Sequence, residues 1–471
     1  MLRTEILRSL VFCYSIEGGH RLSGQIEVSG SKNAALAIIG AAMALDGPCL
    51  IHNLPNVRDV CFFLEVCSDI GAKVEKLGAN KVRIDPTTIA GPEAISPKVA
   101  MLRGSYYLLG ALQSRFGACK VTMPGGCNLG VRPIDLHLKG FMALGSEVDI
   151  IYRNINREEI WFHYDGGTGS LPGQDGPDAY TLEPAFIHCQ NPAGKMRPAS
   201  VFLDTVSVGA TVNIMIAAVK ADGITVIDNA AREPHIVDVA NFLNTMGADI
   251  RGAGTETIRI KGKPYLPADK EYTIIPDQIE AGTYMMMAPL TGGDITVNNI
   301  IPTHMEPLSA KLLEMGVTVE EGEESIRVST EPGLILRPTS IKTMPYPGFP
   351  TDLQPQVTTL LCTAEGTSRV IETVWENRYG YVAELTKLGA NVVTSGRLAV
   401  ITGGGELTGT RVRALDLRGG MAVTMAGLAA RGETIVENIG VIERGYEDTI
   451  DKISSLGGVI TRYEVDTGSY R

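Results

Sequence analysis

Cys127 is the residue of this sequence whose type and surroundings point most directly to chemistry. It lies in the run PGGCN at residues 124–128, and Arg132 follows five residues later. Glycines on both sides of the cysteine free the backbone to approach a ligand closely. A guanidinium nearby favours the thiolate form of a cysteine. We therefore predict that Cys127 is a reactive thiol rather than a structural one.

A second set of candidate residues stands at the start of six predicted helices. Helix N-termini offer free backbone N–H groups and the positive end of the helix dipole, so they favour anions. If the units are equivalent, the three inner helices of each domain point their N-termini toward the same end. The cations among these residues suit phosphate or carboxylate ligands. The residues are Lys32 with Asn33, Arg103, Ser207 with Val208 and Gly209, Asp277 with Glu280, Thr351 with Asp352, and Arg418.

These helices belong to a unit that recurs six times, with a period of roughly seventy residues. Each copy contains a Leu, Met or Ile followed by glycine, small residues and a β-branched pair. A glycine at this place suits the left-handed residue that follows many helices. Such self-similarity predicts one supersecondary unit repeated along the chain. The glycines are Gly71, Gly145, Gly247, Gly316, Gly389 and Gly457.

Each unit alternates short β-branched strands with two kinds of helix. One kind is amphipathic, as at 234–243. The other is rich in Ala, Met, Leu, Gly and Thr on every face, so we expect it to lie inside a domain. These inner helices are predicted at 32–45, 103–112, 207–220, 278–290, 351–364 and 418–430.

The pattern predicts a mixed α/β fold of layered β-α-β units rather than one doubly wound sheet. A chain of 471 residues exceeds the usual size of one core, so we expect two domains of three units each. Domain one comprises residues 1–31 and 276–471, and domain two comprises residues 32–275. A stretch at about 152–200 is dense in Gly, Pro and Asp, which predicts a surface insertion in domain two.

Composition narrows the classes of function. The net charge of −11 argues against nucleic acid as a partner. The longest apolar run near the start is too short for a signal peptide or a membrane span, so we expect a cytoplasmic protein. The eight cysteines form no CxxC pair and no histidine stands at ligand spacing, which indicates reduced thiols and no metal.

Nine segments, in order from about residue 16 to about residue 462, resemble the UDP-N-acetylglucosamine enolpyruvyltransferases, a branch of the enolpyruvyl transferase family. The resemblance implies an inside-out pair of α/β barrels, with substrates in the cleft between two domains. That architecture agrees with the prediction from the repeats. The segments are 29–36 (SGSKNAAL), 124–137 (PGGCNLGVRPIDLH), 204–211, 229–234, 276–283, 349–352 (FPTD), 376–378 (ENR), 416–418 (DLR) and 443–447 (ERGYE).

The resemblance implies transfer of the enolpyruvyl group of phosphoenolpyruvate to the 3-hydroxyl of UDP-N-acetylglucosamine, with release of phosphate. This reaction is the first committed step of peptidoglycan synthesis, and it needs no cofactor. Cys127 matches the residue that protonates the enol carbon, and it would be alkylated by the epoxide antibiotic fosfomycin. Asp352 matches the base that accepts the proton of the sugar hydroxyl.

The resemblance also implies which residues bind the two substrates. Lys32, Arg132 and Arg444 match the ligands of phosphoenolpyruvate, and Lys32 and Arg444 also count as catalytic. Arg103, Arg378 and Arg418 are expected in the same region. The positions that match the surroundings of the UDP-sugar are Asn33, Pro133, Ile134, Asp135, Leu136, His137, Ser207, Val208, Gly209, Asp352 and Val374.

The chain departs from the family pattern at a few positions, and two alternatives stay open. Thr205 stands where many members have a lysine near the diphosphate, Gln278 where arginine is common, and Tyr107 where tryptophan is common. One alternative is an enolpyruvyl transferase that acts on a plain nucleotide. The other is a catalytically silent protein that binds UDP-sugars to regulate the pathway. The oligomeric state is open.

Overall fold

The computed structural model describes residues 10–123, 134–166 and 183–466, apart from the side chains of residues 10, 11, 465 and 466. The predicted site residues Cys127, Arg132 and Pro133 lie outside the described residues. So do residues 167–182 of the Gly-, Pro- and Asp-rich stretch.

The chain packs as two compact units, which divide after Ser29 and after Ile275. We call residues 10–29 with 276–466 the terminal unit, and the described residues of 30–275 the middle unit. Each unit has its own large hydrophobic core. Within the ranges that the structure describes, no helix combines the length and the apolar character needed to cross a lipid bilayer.

The helices alternate with strands along both units, and several are preceded by short 3-10 turns. The turns that contain or precede predicted site residues are Arg103–Tyr106, Thr351–Leu353, Arg378–Tyr381 and Ile439–Val441. The α-helices are α1 (Lys32–Ala42), α2 (Arg58–Asp69), α3 (Pro97–Met101), α4 (Tyr107–Phe116), α5 (Asp135–Ala143), α6 (Val208–Ala218), α7 (Pro234–Thr245), α8 (Gln278–Leu290), α9 (Glu306–Glu314), α10 (Gln354–Leu361), α11 (Val382–Lys387), α12 (Leu417–Ala429) and α13 (Thr449–Ser455).

The strands are short, as their β-branched runs predict. They are β1 (Leu10–Glu17), β2 (Ser23–Glu27), β3 (Cys49–His52), β4 (Lys73–Gly78), β5 (Lys81–Asp85), β6 (Glu93–Ala94), β7 (Ala118–Thr122), β8 (Glu147–Arg153), β9 (Glu159–His163), β10 (Glu183–Gln190), β11 (Ser200–Phe202), β12 (Ile224–Asp228), β13 (Asp249–Arg251), β14 (Thr257–Lys261), β15 (Glu271–Thr273), β16 (Asp294–Asn298), β17 (Thr318–Glu321), β18 (Ser325–Ser329), β19 (Ser340–Lys342), β20 (Gly366–Ile371), β21 (Asn391–Ser395), β22 (Leu398–Gly403), β23 (Arg411–Arg413), β24 (Glu433–Glu437) and β25 (Val459–Asp466).

The sixfold repeat predicted from the sequence is confirmed by the sheets. The terminal unit contains the sheets β23-β24-β1-β25, β17-β18-β16-β2 and β19-β20-β22-β21. The middle unit contains β15-β3-β5-β4, β6-β7-β10-β8-β9 and β11-β12-β14-β13. Every sheet joins one parallel pair of strands to antiparallel neighbours, which distinguishes this mixed fold from a doubly wound sheet.

The six inner helices are α1, α4 and α6 in the middle unit, and α8, α10 and α12 in the terminal unit. Nearly all their residues are buried, as the all-round apolar composition predicts. Helix α6 starts one residue later than predicted, after its cap Ser207, and α4 and α10 start later because 3-10 turns precede them. Pro355 lies in the first turn of α10, where its missing N–H costs no helical hydrogen bond.

In four of the six repeats, an asparagine follows the strand that pairs in parallel with its neighbour. Asn53, Asn229, Asn299 and Asn438 all have left-handed φ, between 54° and 62°. In each case Nδ2 donates to the carbonyl that follows the neighbouring parallel strand, at 2.7–2.9 Å. Asparagine tolerates this conformation better than most residues. This interaction anchors the start of the four loops that follow these strands, and the loop after Asn438 carries the predicted site residue Arg444.

The glycines that mark the repeat confirm the predicted left-handed turns. Gly71, Gly145, Gly247, Gly316, Gly389 and Gly457 have φ between 90° and 106°. The predicted insertion at about 152–200 is corrected. Residues 159–163 and 183–190 form β9 and β10, which pair with β8, and β10 also pairs with β7. Buried alternate residues of β10, such as Ile187 and Cys189, make it part of the core.

Candidate active site

The carboxylate of Asp352 lies between two arginines in the terminal unit. Its Oδ1 accepts a hydrogen bond from Arg378 Nη2 at 3.0 Å, and its Oδ2 accepts from Arg418 Nε at 3.2 Å and Nη2 at 3.1 Å. The side chains of Arg378 and Arg418 are 2% and 5% exposed, whereas that of Asp352 is 28% exposed. The carboxylate is therefore the accessible member of a cluster with one net positive charge.

The start of α12 and the turn before α10 bring this cluster together. Asp416 caps α12 by accepting from the N–H groups of Arg418 and Gly419, both at 3.0 Å. Arg378 Nη2 also donates to the carbonyl of Thr351 at 3.0 Å. The predicted convergence is therefore found for two of the three inner helices of this unit, because Asp352 from the turn before α10 contacts Arg418 from the start of α12.

Tyr446 lies beneath the Arg418 guanidinium, with 5.2 Å from Arg418 Cζ to the ring centroid. Its hydroxyl is 3.0 Å from Thr283 Oγ1 and accepts from Gln356 Nε2 at 2.9 Å. Burial raises the pKa of Tyr446, so the ring stays neutral. The aromatic face and the carboxylate together orient the guanidinium.

Arg444 and Val374 lie on loops of the same unit. Arg444 is half-buried in the turn that follows Ile439–Val441. Val374 is 37% exposed, and its backbone N–H donates to Glu372 Oε1 at 2.7 Å. Both residues follow the second strand of a repeat, as the cluster member Arg378 does.

In the middle unit, Lys32 begins α1 and is buried. Its Nζ lies 2.7 Å from Asp59 Oδ2, and both side chains are close to nine-tenths buried. Asn33 is half-buried beside it. The Ser31 side chain caps α1 by accepting from the Ala34 N–H at 3.4 Å. The predicted cation at this helix start is present, and Asp59 provides a counter-charge that the sequence reasoning missed.

His137 lies on the first turns of α5 and is buried in a polar network. The Gly110 N–H donates to Asn213 Oδ1 at 3.0 Å, which fixes the orientation of the Asn213 amide. Asn213 Nδ2 therefore donates to His137 Nδ1 at 2.9 Å, and the imidazole proton resides on Nε2. Burial, with a smaller contribution from the Arg103 charge, lowers the pKa of His137 to about 3. His137 is thus a neutral donor.

Gly209 allows the imidazole to approach the start of α6. A Cβ atom at Gly209 would lie 2.9 Å from His137 Nε2, so a side chain there would collide with the ring. Ser207 caps the helix by accepting from the Ala210 N–H at 3.3 Å, and Val208 is half-buried beside it. The His137 N–H therefore lies next to a helix N-terminus, which favours an anionic or polar ligand.

Arg103 comes from the turn before α4 and lies on the same side of the unit. Its guanidinium carbon is 5.7 Å from the centroid of the Tyr106 ring, and that ring lies 5.9 Å from the His137 ring. Ile134 is buried, Leu136 is half-buried and Asp135 is exposed on α5.

The structure thus brings the predicted residues together in two groups. Asp352, Arg378 and Arg418 form one, and Arg103, His137 and Gly209 form the other. The sequence reasoning missed four side chains that hold them: Asp59, Asn213, Glu372 and Tyr446. A usable signal for Asn213 is that it is the lone strongly polar residue of an apolar inner helix. In the part of the chain that is described, no three His, Cys, Asp or Glu residues are grouped to hold a metal ion.

A sequence model of a known enzyme family matches most of this chain. The sequence model of the EPSP synthase (3-phosphoshikimate 1-carboxyvinyltransferase) family matches residues 16–159 and 181–453. The gap in the match coincides with the Gly-, Pro- and Asp-rich stretch. The chain belongs to this family of carboxyvinyltransferases, which confirms the resemblance found from its motifs.

Curated proteins similar to this chain indicate which branch of the family it resembles. UDP-N-acetylglucosamine 1-carboxyvinyltransferase 3 of Caldanaerobacter subterraneus subsp. tengcongensis is 48% identical, over 95% of this chain and 99% of its own. UDP-N-acetylglucosamine 1-carboxyvinyltransferase of Halothermothrix orenii is 46% identical, with the same coverage. The enzyme of that name from Clostridium botulinum is 44% identical, again over 95% and 99% of the two chains.

Solved structures share the fold. The crystal structure of the enolpyruvyl transferase NikO from Streptomyces tendae has a TM-score of 0.81 at 26% identity, covering 97% of this chain and 100% of that one. EPSP synthase from Acinetobacter baumannii has a TM-score of 0.64 at 17% identity, with the same coverage. The predicted fold class is therefore confirmed.

Proposed function

We propose that this protein transfers the enolpyruvyl group of phosphoenolpyruvate to the 3-hydroxyl of UDP-N-acetylglucosamine and releases phosphate. It would act in the cytoplasm, in peptidoglycan synthesis. The observation that carries the proposal is the partly exposed Asp352 carboxylate held between Arg378 and Arg418. Relatives named for this acceptor are 44–48% identical over nearly the whole chain.

The reaction requires protonation of the methylene carbon, attack by the sugar oxygen on the neighbouring carbon, and departure of phosphate. Asp352 accepts the hydroxyl proton as the new C–O bond forms. Cys127 donates the proton that turns the methylene group into a methyl group. Return of a proton from that methyl group to the Cys127 thiolate, as the C–O bond to phosphate breaks, restores the double bond and the thiol. Arg378 and Arg418 offset the negative charge of the ligands.

The middle unit would bind the nucleotide-sugar. The neutral His137 donates from Nε2, and the start of α6 at Ser207–Gly209 supplies backbone N–H groups for phosphate oxygens. Lys32, Arg103, Arg132 and Arg444 are assigned to the anionic groups of the two substrates. Thr205 contributes a hydroxyl where many relatives have a cation.

Phosphate release tests this proposal directly. The protein is incubated with phosphoenolpyruvate and, separately, UDP-N-acetylglucosamine, uridine monophosphate or shikimate 3-phosphate. We expect phosphate release when UDP-N-acetylglucosamine is the acceptor, and none with either of the other two acceptors. Release with uridine monophosphate instead would identify an enzyme of plain nucleotides. Binding of UDP-N-acetylglucosamine without any release would identify a silent regulatory protein.

A further inference from the structure

Glu372 occupies the position at which other repeats of the fold carry their left-handed asparagine. In the sheet of β23 and β24, the last parallel pair is Arg413 with Glu437, and Asn438 follows. In the sheet of β19 and β20, the last parallel pair is Lys342 with Ile371, and Glu372 follows. The backbone bond that closes the pair, from Thr343 N to Ile371 O, matches the one from Ala414 N to Glu437 O.

In this repeat the residue after Glu372, Thr373, makes the hydrogen bonds to the neighbouring strand that the asparagine makes in other repeats. The Thr373 hydroxyl donates to the Thr343 carbonyl, and the Thr373 N–H donates to Thr343 Oγ1 at 2.9 Å. These bonds replace the amide-to-carbonyl contact made by Asn438 in the neighbouring repeat. The side chain of Glu372 is therefore not needed to close the sheet.

The Glu372 carboxylate instead joins two loops. Its Oε1 accepts from the N–H groups of Val374 at 2.7 Å and Trp375 at 3.0 Å. Its Oε2 accepts from Thr351 Oγ1 at 3.0 Å. Thr351 immediately precedes Asp352, and Arg378 binds both of those residues from the far end of the same loop.

Glu372 is fully buried, and among the described residues no cation lies within ion-pairing distance of its carboxylate. A buried carboxylate is costly unless hydrogen bonds compensate its charge. Its three donors all belong to the two loops, so the burial of this charge depends on their remaining in place. The carboxylate and Arg378 thus fix the 372–378 loop to the turn that carries Asp352.

We propose that Glu372 is a positioning residue for the acceptor: it holds the Val374–Trp375 backbone in register with Asp352, so that the nucleotide-sugar is bound with its hydroxyl at the base. This inference rests on the proposed function for the identity of the acceptor. The restraint of the loop by Glu372 is a property of the protein alone.

The test compares Glu372→Ala, Glu372→Gln and the matched control Asn299→Gly. Gln keeps an oxygen for the two N–H groups, and its amide donates to Thr351 Oγ1. The control removes the equivalent hydrogen bond of another repeat, from Asn299 Nδ2 to the Val28 carbonyl, and glycine accepts the left-handed φ of 54°.

We expect Glu372→Ala to raise the KM for UDP-N-acetylglucosamine about tenfold or more and to lower kcat about tenfold. The KM for phosphoenolpyruvate should change less than threefold. Glu372→Gln should stay within about threefold of the wild type in each constant. The melting temperature of Asn299→Gly should be lower than that of the wild type, and both KM values should be nearly unchanged. If Glu372→Ala shows the pattern of this control, the proposal is wrong.

Hydrogen exchange separates the inference from the proposed function. In Glu372→Ala without substrates, the peptide covering residues 373–377 should exchange faster, while one covering 299–305 should not. Unchanged exchange at 373–377 would overturn the inference even if the wild type transfers enolpyruvate. Faster exchange in a protein inactive with UDP-N-acetylglucosamine would leave the loop restraint intact and refute only the proposed acceptor.

Discussion

Asp352 and Arg418 meet through one carboxylate oxygen and two guanidinium nitrogens, at 3.1 and 3.2 Å. The residues are 66 positions apart: Asp352 lies in the 3-10 turn before α10, and Arg418 lies in the first turn of α12. Asp352 Oδ2 accepts both hydrogen bonds from Arg418, while Oδ1 accepts a hydrogen bond from Arg378. The carboxylate therefore has a fixed orientation before any substrate binds, which general base catalysis requires.

Asp352→Asn should reduce turnover by about two to four orders of magnitude, because an amide does not accept the hydroxyl proton. Binding of UDP-N-acetylglucosamine should weaken far less, since Asn retains an oxygen for one arginine. Steady-state phosphate release gives the turnover, and calorimetry gives the binding constant. A soluble variant that retains a tenth of the activity would exclude Asp352 as the base.

Arg444→Ala should weaken the use of phosphoenolpyruvate about 10- to 100-fold, the usual effect of removing a hydrogen bond to a charged group. The affinity for UDP-N-acetylglucosamine should be nearly unchanged. Separate KM measurements for the two substrates check this. The exposed Arg431→Ala is the control on the same unit, and it should alter neither constant. Equal losses for both substrates would contradict the assignment of Arg444.

His137 should stay neutral across the range in which histidines usually titrate. Burial lowers its pKa from 6.5 to about 3, so between these values the unfolded chain binds more protons than the folded one. Stability from this residue is complete above pH 6.5 and is lost as the pH falls toward 3, at up to about 1.4 kcal/mol per pH unit.

Denaturation of the wild type and His137→Gln at several pH values measures this contribution. The stability of the wild type should fall more steeply than that of the variant between pH 6.5 and pH 4. The NMR signal of the His137 ring should not shift between pH 8 and pH 5. A midpoint near 6.5 in that titration would show that the imidazole is accessible and charged.

Cys127 should be the cysteine that fosfomycin alkylates. Six of the other seven cysteines are buried, and burial raises the pKa of Cys49 and of Cys362 to about 12. Cys61 is the half-buried competitor, so Cys61→Ser is the control and should be alkylated like the wild type. Peptide mapping by mass spectrometry identifies the adduct. Modification at any other cysteine would contradict the prediction.

The repeat made the fold predictable, because its signals are local. Glycine after a helix, β-branched strands and helices apolar on every face each follow from short-range rules, as at Gly247 and α6. The extent of the insertion was less predictable. Residues 183–190 pair with both β7 and β8, and that pairing depends on strands distant in sequence.

The site was predictable where charge stands at a helix start, as for Arg418. It was not predictable where a partner is distant along the chain or comes from another repeat. Asp59 follows Lys32 by a whole strand and loop, and Asn213 reaches His137 from a different helix. The role of Glu372 could be inferred only by comparing its repeat with the four repeats that carry asparagine at the same position.

The place of β1 between β24 and β25 has a consequence for synthesis on the ribosome. The strand is made before the middle unit, and both its partners are made more than roughly 400 residues after it. At about 5–20 residues per second this interval lasts on the order of 20 to 90 s. The middle unit can fold once residue 275 has emerged from the ribosome. At that stage β24 and β25 have not been made, so both edges of β1 are unpaired. Nascent chains stalled before β24 should therefore carry a protease-resistant middle unit and a cleavable N-terminal strand.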